Sequence, residues 1–102
     1  MKVSEITTQL VAEYLRLDWA NMSAAEKLEL DAIIEAAKTY ATSFTGQTLE
    51  ALDDFPDVVI AIYVLCQDMY DNRSMYAEAG TTSHSVNRVI DTILGMHSIN
   101  LL

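Results

Sequence analysis

Apolar residues recur at helical spacing from the first turns of the chain onward. Ile6, Leu10 and Tyr14 are spaced i, i+4 and i+8, which places them on one face of a helix. Ser4 is a suitable N-cap for that helix. The pattern therefore predicts a first helix from about Glu5 to Leu17.

A second predicted helix has clear signals at both of its ends. Ser23 and Glu26 have the spacing of a capping box, in which each residue binds a backbone N–H of the other. Gly46 suits the left-handed position that follows a helix. The apolar stripe between these ends consists of Leu30, Ile33, Ile34, Ala37, Ala41 and Phe44.

The third apolar segment is the longest in the chain. Residues Gln47–Phe55 are predicted to form a loop, and Pro56 then begins a helix that runs to about Tyr76. Its first half is apolar on all sides, so a buried strand is the competing interpretation. The absence of a turn signal over Val58–Tyr76 favours a helix, because strands are seldom so long. A helix that is apolar all round is expected to be central and buried.

The last part of the chain predicts a short helix and an apolar tail. Residues 77–85 form a loop in this interpretation, and Ser85 caps a helix over Val86–Leu94 that Gly95 ends. The inward-facing residues are predicted to be Val89, Ile90, Ile93 and Leu94. The tail, His97–Leu102, is expected to dock either on its own core or on a neighbouring subunit. The whole pattern predicts one all-α domain over residues 1–102, a compact bundle of about four helices.

Composition and charge narrow the function classes. Hydrophobic residues make up 51% of the chain, with 3 Gly and 1 Pro, which excludes a low-complexity chain. The net charge is −9, and the few basic residues are scattered, so tight nucleic-acid binding is disfavoured. The longest apolar run, Val58–Cys66, is nine residues, short of the roughly 20 that cross a membrane. A soluble protein made in the cytoplasm is expected.

The sequence contains no recognisable catalytic or metal-binding motif. His84 and His97 are 13 residues apart and lack the further ligands that a metal site needs. Cys66 lies among apolar residues and is predicted to be an inert core thiol. Asp53, Asp54 and Asp57 are explained by the start of a helix. No cofactor and no enzymatic activity are therefore predicted.

A few polar and aromatic residues are candidates for an interface. Trp19 lies between the first two predicted helices, where it either plugs the core or anchors a partner. Arg73 lies at the end of the third predicted helix, where a cation suits the helix dipole. Four acids share the second helix and are predicted to form a solvated face: Glu26, Glu29, Asp31 and Glu35.

Several motifs, in order, resemble the small head-completion (adaptor) type of phage head-to-tail connector proteins. The first helix ends in Leu15-Arg16-Leu17-Asp18. Within the second helix, the segment Ile33-Ile34-Glu35-Ala36-Ala37-Lys38 and the closing Thr45-Gly46 resemble the second helix of that family. Pro56-Asp57 opens the third helix, and Tyr70-Asp71-Asn72-Arg73 ends it. The resemblance covers nearly the whole chain, although residues 77–85 match no known part of the family.

The resemblance implies a virion protein at the head-tail junction. Its subunits would form a homo-oligomeric ring, twelvefold in the particle, below the portal protein, and would dock the next tail or stopper protein. DNA would pass through the channel without specific binding, and no membrane would be involved. The candidate interface residues are Trp19, Arg73, Ile99, Leu101 and Leu102, and the candidate channel-facing acids are Glu26, Glu29, Asp31 and Glu35.

A second function class also fits the charge. An acidic helical protein can mimic DNA and inhibit a DNA-binding protein of the host. That role does not require the long apolar helix or the apolar tail. A measured mass would separate the two, because a DNA mimic is expected to stay monomeric or dimeric.

Overall fold

The structure, a computed structural model, describes residues 1–72 and 88–98 of the chain, and it is all-helical over these residues. The predicted compact helical bundle is confirmed. The helices are α1 (Thr8–Tyr14), α2 (Ala24–Thr45), α3 (Leu49–Leu52), α4 (Asp57–Asp71) and α5 (Arg88–Met96). Short 3-10 turns cover Val3–Glu5 and Trp19–Asn21.

Helix α1 begins later than the sequence pattern predicts. Its N-cap is Thr7, whose side-chain oxygen accepts a hydrogen bond from the backbone N–H of Leu10 at 3.2 Å. Ile6 has an extended backbone, which separates the 3-10 turn from α1. Ser4, the predicted cap, instead donates to the carboxylate of Asp53 through its N–H at 2.9 Å and its hydroxyl at 2.8 Å. The prediction of Ser4 as the cap of this helix was therefore wrong.

Helix α1 ends in a left-handed turn at Arg16. The φ angle of Arg16 is 62°, and no other non-glycine residue in the described part of the chain has a positive φ. The N–H of Leu17 donates to the carbonyl of Ala12 at 2.9 Å, the long-range bond of a Schellman motif. Leu17 then packs partly buried against the core. The motif Leu15-Arg16-Leu17-Asp18 is thus the corner at which the chain leaves α1.

Helix α2 has the ends that the sequence predicts. Ser23 and Glu26 form the capping box, with N–H to side-chain distances of 3.0 and 3.1 Å. Gly46 has φ 72°, and its N–H donates to the carbonyl of Thr42 at 2.9 Å. Phe44 was predicted to lie in the apolar stripe, but it is exposed and stacks on Tyr40. The buried row is Leu30, Ile34, Ala37, Ala41 and Thr45.

The segment predicted as a loop over Gln47–Phe55 contains the one-turn helix α3. Its N-cap is Thr48, which accepts a hydrogen bond from the N–H of Ala51 at 3.2 Å. Leu52 in this turn is fully buried, so the turn contributes to the core.

Helix α4 starts after Pro56, as predicted, and ends at Asp71, five residues before the predicted end. Asn72 leaves helical geometry, and its side-chain amide donates to the carbonyl of Asp68 at 2.9 Å. This bond satisfies a carbonyl at the open end of the helix. An asparagine can therefore stop the helix without a glycine or proline signal.

Helix α4 supplies the largest share of the core, although it is not the longest helix. It has 15 residues, whereas α2 has 22, and it packs against both α2 and α5. The side chain of Ile60 is 54% exposed, so the expectation of burial on all sides was wrong for this face. The predicted burial of Cys66 is confirmed. The buried residues of α4 are Val58, Val59, Ala61, Ile62, Leu65, Cys66 and Met69.

Helix α5 runs through Gly95 instead of ending before it. Adding a Cβ at Gly95 would meet no atom within 4 Å, so this glycine is not required by a close contact. Ile90 and Leu94 are buried as predicted, but Val89 is exposed. The predicted cap Ser85 and the end of the apolar tail lie outside the described residues.

Candidate interaction surfaces

Glu26 and Asp31, which were both proposed to face a channel, form hydrogen bonds within the domain. Glu26 belongs to the capping box, and the hydrogen bonds from the N–H and hydroxyl of Ser23 lower its pKa. Asp31 accepts a hydrogen bond from the hydroxyl of Thr8 at 3.0 Å. This second bond joins α1 to α2, so Asp31 contributes to how the two helices are arranged.

The four acids lie on two flanks of α2 and do not form one row. Successive residues of an α-helix are rotated by about 100°, so Glu26 and Glu29 share one flank. Asp31 and Glu35 are four residues apart and share the other flank. All four side chains are exposed. Between the two flanks lies a face with the exposed residue Leu28.

Trp19 is a partly buried residue with a cation on its ring. It packs against the core cluster from the 3-10 turn that follows α1. The ammonium of Lys27 lies 4.3 Å from the centroid of its ring, a cation–π distance. Trp19 thus contributes to the core, and its ring also contacts the ammonium of Lys27.

A cluster around His97, which we call the clasp, holds the end of α5 against the bundle. The imidazole of His97 stacks on Phe55 with 4.1 Å between ring centroids. Its Nε2 atom lies 2.9 and 3.0 Å from the two carboxylate oxygens of Asp57. The side-chain amide of Gln47 donates to the carbonyl of His97, and the hydroxyl of Ser98 donates to the carbonyl of Phe44 at 3.4 Å. Residues from three parts of the sequence therefore fix where the chain leaves α5.

Sequence reasoning did not find the clasp. His97 was assigned only to an apolar tail, and Asp57 only to the start of a helix. The two residues are 40 positions apart, so no local pattern connects them. The only available signal was that a histidine and an aspartate each lie next to a predicted helix end.

A second cluster, the tyrosine patch, consists of Met1, Tyr14, Ile60 and Tyr63. The rings of Tyr14 and Tyr63 stack with centroids 4.9 Å apart, and the hydroxyl of Tyr63 donates to the sulfur of Met1 at 3.6 Å. Ile60 lies one turn before Tyr63 on α4. Tyr14 is 43% exposed and Ile60 is 54% exposed. The patch is therefore a surface on which large apolar groups face solvent.

Two kinds of reactive site can be checked in the described residues, a metal-binding cluster and a reactive thiol. No group of three or more His, Cys, Asp or Glu residues within 1–72 and 88–98 is placed to hold a metal ion. Burial raises the pKa of the Cys66 thiol to about 12, so this cysteine is a poor nucleophile. No helix in the described part of the chain is long and apolar enough to cross a membrane.

The remaining predicted interface residues cannot be placed. Arg73, Ile99, Leu101 and Leu102 lie outside the described residues. Their proposed roles in assembly stay predictions.

Comparison of the chain with protein-family models, with curated proteins and with solved structures finds no match. The expected resemblance to phage connectors therefore rests on the motifs of the sequence alone and stays a prediction. In the fold, these motifs lie at the ends of helices. Leu15-Arg16-Leu17-Asp18 follows α1, Thr45-Gly46 closes α2, Pro56-Asp57 opens α4, and Asp71-Asn72 ends it.

Proposed function

We propose that this chain is a structural subunit of a phage head-to-tail connector, forming a ring below the portal protein. The observation that carries the proposal is the position of the resembling motifs at the ends of α1, α2 and α4. Residues at helix ends determine where one helix stops and the next begins. The resemblance therefore concerns the layout of the bundle, in addition to its composition.

Surface chemistry supports a ring subunit. A ring is built from heterologous contacts, in which each subunit uses two different surfaces. The described residues offer the tyrosine patch on the side of α1 and α4, and a separate exposed face with Leu28 on α2. The large apolar side chains of the tyrosine patch, and Leu28 on α2, are suited to burial between subunits.

The net charge supports a channel that DNA passes through without binding. A charge of −9 disfavours contact with phosphates, because like charges repel. In this proposal the four exposed acids of α2 line the channel and contribute to its negative field: Glu26, Glu29, Asp31 and Glu35.

The proposal is tested by locating the chain in phage particles. Cryo-electron microscopy of particles assembled with a tagged chain should show the tag at the head-tail junction, in a ring below the portal. Depletion of the chain should leave DNA-filled heads without tails. Particles that lack the tag at the junction, or that join heads to tails normally after depletion, would contradict the proposal.

The same experiment bears on the alternative role. A DNA mimic would be absent from finished particles, and the purified protein would compete with DNA for a DNA-binding protein of the host. Within the connector proposal, a ring map with a predominantly basic channel would contradict the assignment of the four acids to the channel wall.

A further inference from the structure

The two exposed apolar surfaces face away from each other. Helices α2 and α4 pack together, and each turns its buried residues toward the core between them. The outward face of α2 carries Leu28, Ala32 and Glu35, which share one side of the helix at spacings of four and three residues. Leu28 is 72% exposed, and the tyrosine patch lies on the far side of the core. One subunit can therefore contact two neighbours at once.

Arg16 is a candidate to bind an acidic group of a partner beside the tyrosine patch. It lies two residues beyond Tyr14 and adopts a left-handed backbone, where glycine is the usual residue. No hydrogen bond or ion pair joins its exposed guanidinium to residues 1–72 or 88–98. The left-handed backbone is used by the turn that ends α1, in which the N–H of Leu17 donates to the carbonyl of Ala12, and the guanidinium is available to a partner. The two acids nearest to Arg16 in sequence accept hydrogen bonds from other residues: Asp18 from the side-chain amide of Asn21 at 2.5 Å, and Glu13 from that of Gln9 at 3.4 Å.

The outward face of α2 carries an aliphatic side chain and an acid that complement the tyrosine patch and Arg16. Leu28 is a large exposed aliphatic side chain that would fit against aromatic rings, and Glu35 is an exposed acid on the same face. Two α2 faces are a poor match for each other, because acids flank Leu28 on both sides and would be brought together. The favourable combination joins the basic edge of one surface to the acidic edge of the other.

We propose that the tyrosine patch of one subunit binds the outward face of α2 in a second copy of this chain, with Arg16 paired to Glu35. The contact is head-to-tail, so each subunit donates one surface to each neighbour, as a ring requires. This inference rests on the proposed ring-forming function and names the surfaces that form the ring contact.

A cysteine pair tests which surfaces meet. Two variants, Leu28→Cys and Ile60→Cys, are mixed under mild oxidation, and native Cys66 stays unreactive because it is buried. The mixture should give disulfide heterodimers well above the level of either homodimer. The matched control mixes Leu28→Cys with Glu50→Cys, an exposed residue on α3, and should give none in excess. Heterodimers formed only at the statistical level would overturn the proposal.

A charge exchange tests the ion pair. Arg16→Glu and Glu35→Lys should each weaken self-association by about tenfold or more, because each places like charges in the contact. An equimolar mixture should restore association, since an alternating assembly has opposite charges at every contact. Glu50→Lys is the control with the same charge change and should associate like the unaltered chain.

Sedimentation velocity over a range of concentrations measures the association, and thermal melting confirms that each variant is folded. A mixture that associates no better than the single variants would overturn the proposal, as would an unaltered chain that stays monomeric and gives no selective cross-link. Both tests use purified chain alone. If the tagged chain forms a ring in particles but the cross-link and the charge exchange fail, only these surfaces are refuted. If the cross-link is selective but the tag is absent from the head-tail junction, only the connector role is refuted.

Discussion

Replacing Arg16 by glycine separates the backbone cost of this residue from the role of its side chain. The left-handed conformation costs a residue with a Cβ about 1–2 kcal/mol, and Arg16 has φ 62°. Glycine avoids this cost but adds about 0.4–1 kcal/mol of freedom to the unfolded chain. We therefore expect Arg16→Gly to raise the free energy of unfolding by about 0.5–1 kcal/mol. For a domain of this size the melting temperature would rise by roughly 2–8 °C.

The assay is urea unfolding followed by circular dichroism, with Arg16→Ala as the matched control. Alanine removes the guanidinium but keeps the strained Cβ, so its stability should stay within about 0.5 kcal/mol of the unaltered chain. The Gly variant should also self-associate more weakly although it is more stable, because it lacks the proposed partner of Glu35. A Gly variant no more stable than the Ala variant would refute the argument from backbone strain.

Three further predictions follow from the core, the capping box and the clasp. Ile62→Asp places an unpaired charge in a fully buried site and should unfold the domain, and an unaltered melting curve would contradict this. Because hydrogen bonds from Ser23 lower the pKa of Glu26 below its ordinary 4.5, they stabilise the fold above that pH. This stability is lost as the pH falls through the lowered pKa, so Ser23→Ala should flatten the decline in urea titrations at acidic pH. Truncation after Met96 should lower the melting temperature, whereas truncation after Ser98 should leave it nearly unchanged.

Local signals explain which helix ends were predictable. Helix α2 was predicted correctly because Ser23, Glu26 and Gly46 act within a few residues of the ends that they determine. Ser4 looked like an equally good cap, but its partner is Asp53, 49 residues away. A long-range hydrogen bond leaves no trace in the spacing of nearby residues. The start of α1 was therefore beyond prediction from the pattern alone.

The surfaces were harder to predict than the core for a related reason. Hydrophobic spacing placed Tyr14 on the apolar face of the first helix, yet its ring stacks on Tyr63 of α4 and stays partly exposed. Ile60 lies in an uninterrupted apolar run, so the sequence does not distinguish it from its buried neighbours. The left-handed turn at Arg16 occurs at a residue type that seldom adopts it. Each of these features depends on how helices far apart in sequence meet.

The two truncations separate the clasp from the apolar residues that follow it. Truncation after Met96 removes the His97 ring stack on Phe55, worth about 0.5–1.5 kcal/mol, and hydrogen bonds worth about 0.5–1.5 kcal/mol each. Truncation after Ser98 keeps these contacts and removes only residues 99–102, three of which are large aliphatics. If, contrary to this expectation, those residues pack on their own subunit, the chain ending at Ser98 loses roughly 1.5–3 kcal/mol of unfolding free energy for each buried side chain and melts well below the full chain. If they serve assembly, it melts like the full chain but heads and tails fail to join. A chain ending at Ser98 that melts normally and still completes infectious particles would rule out both roles.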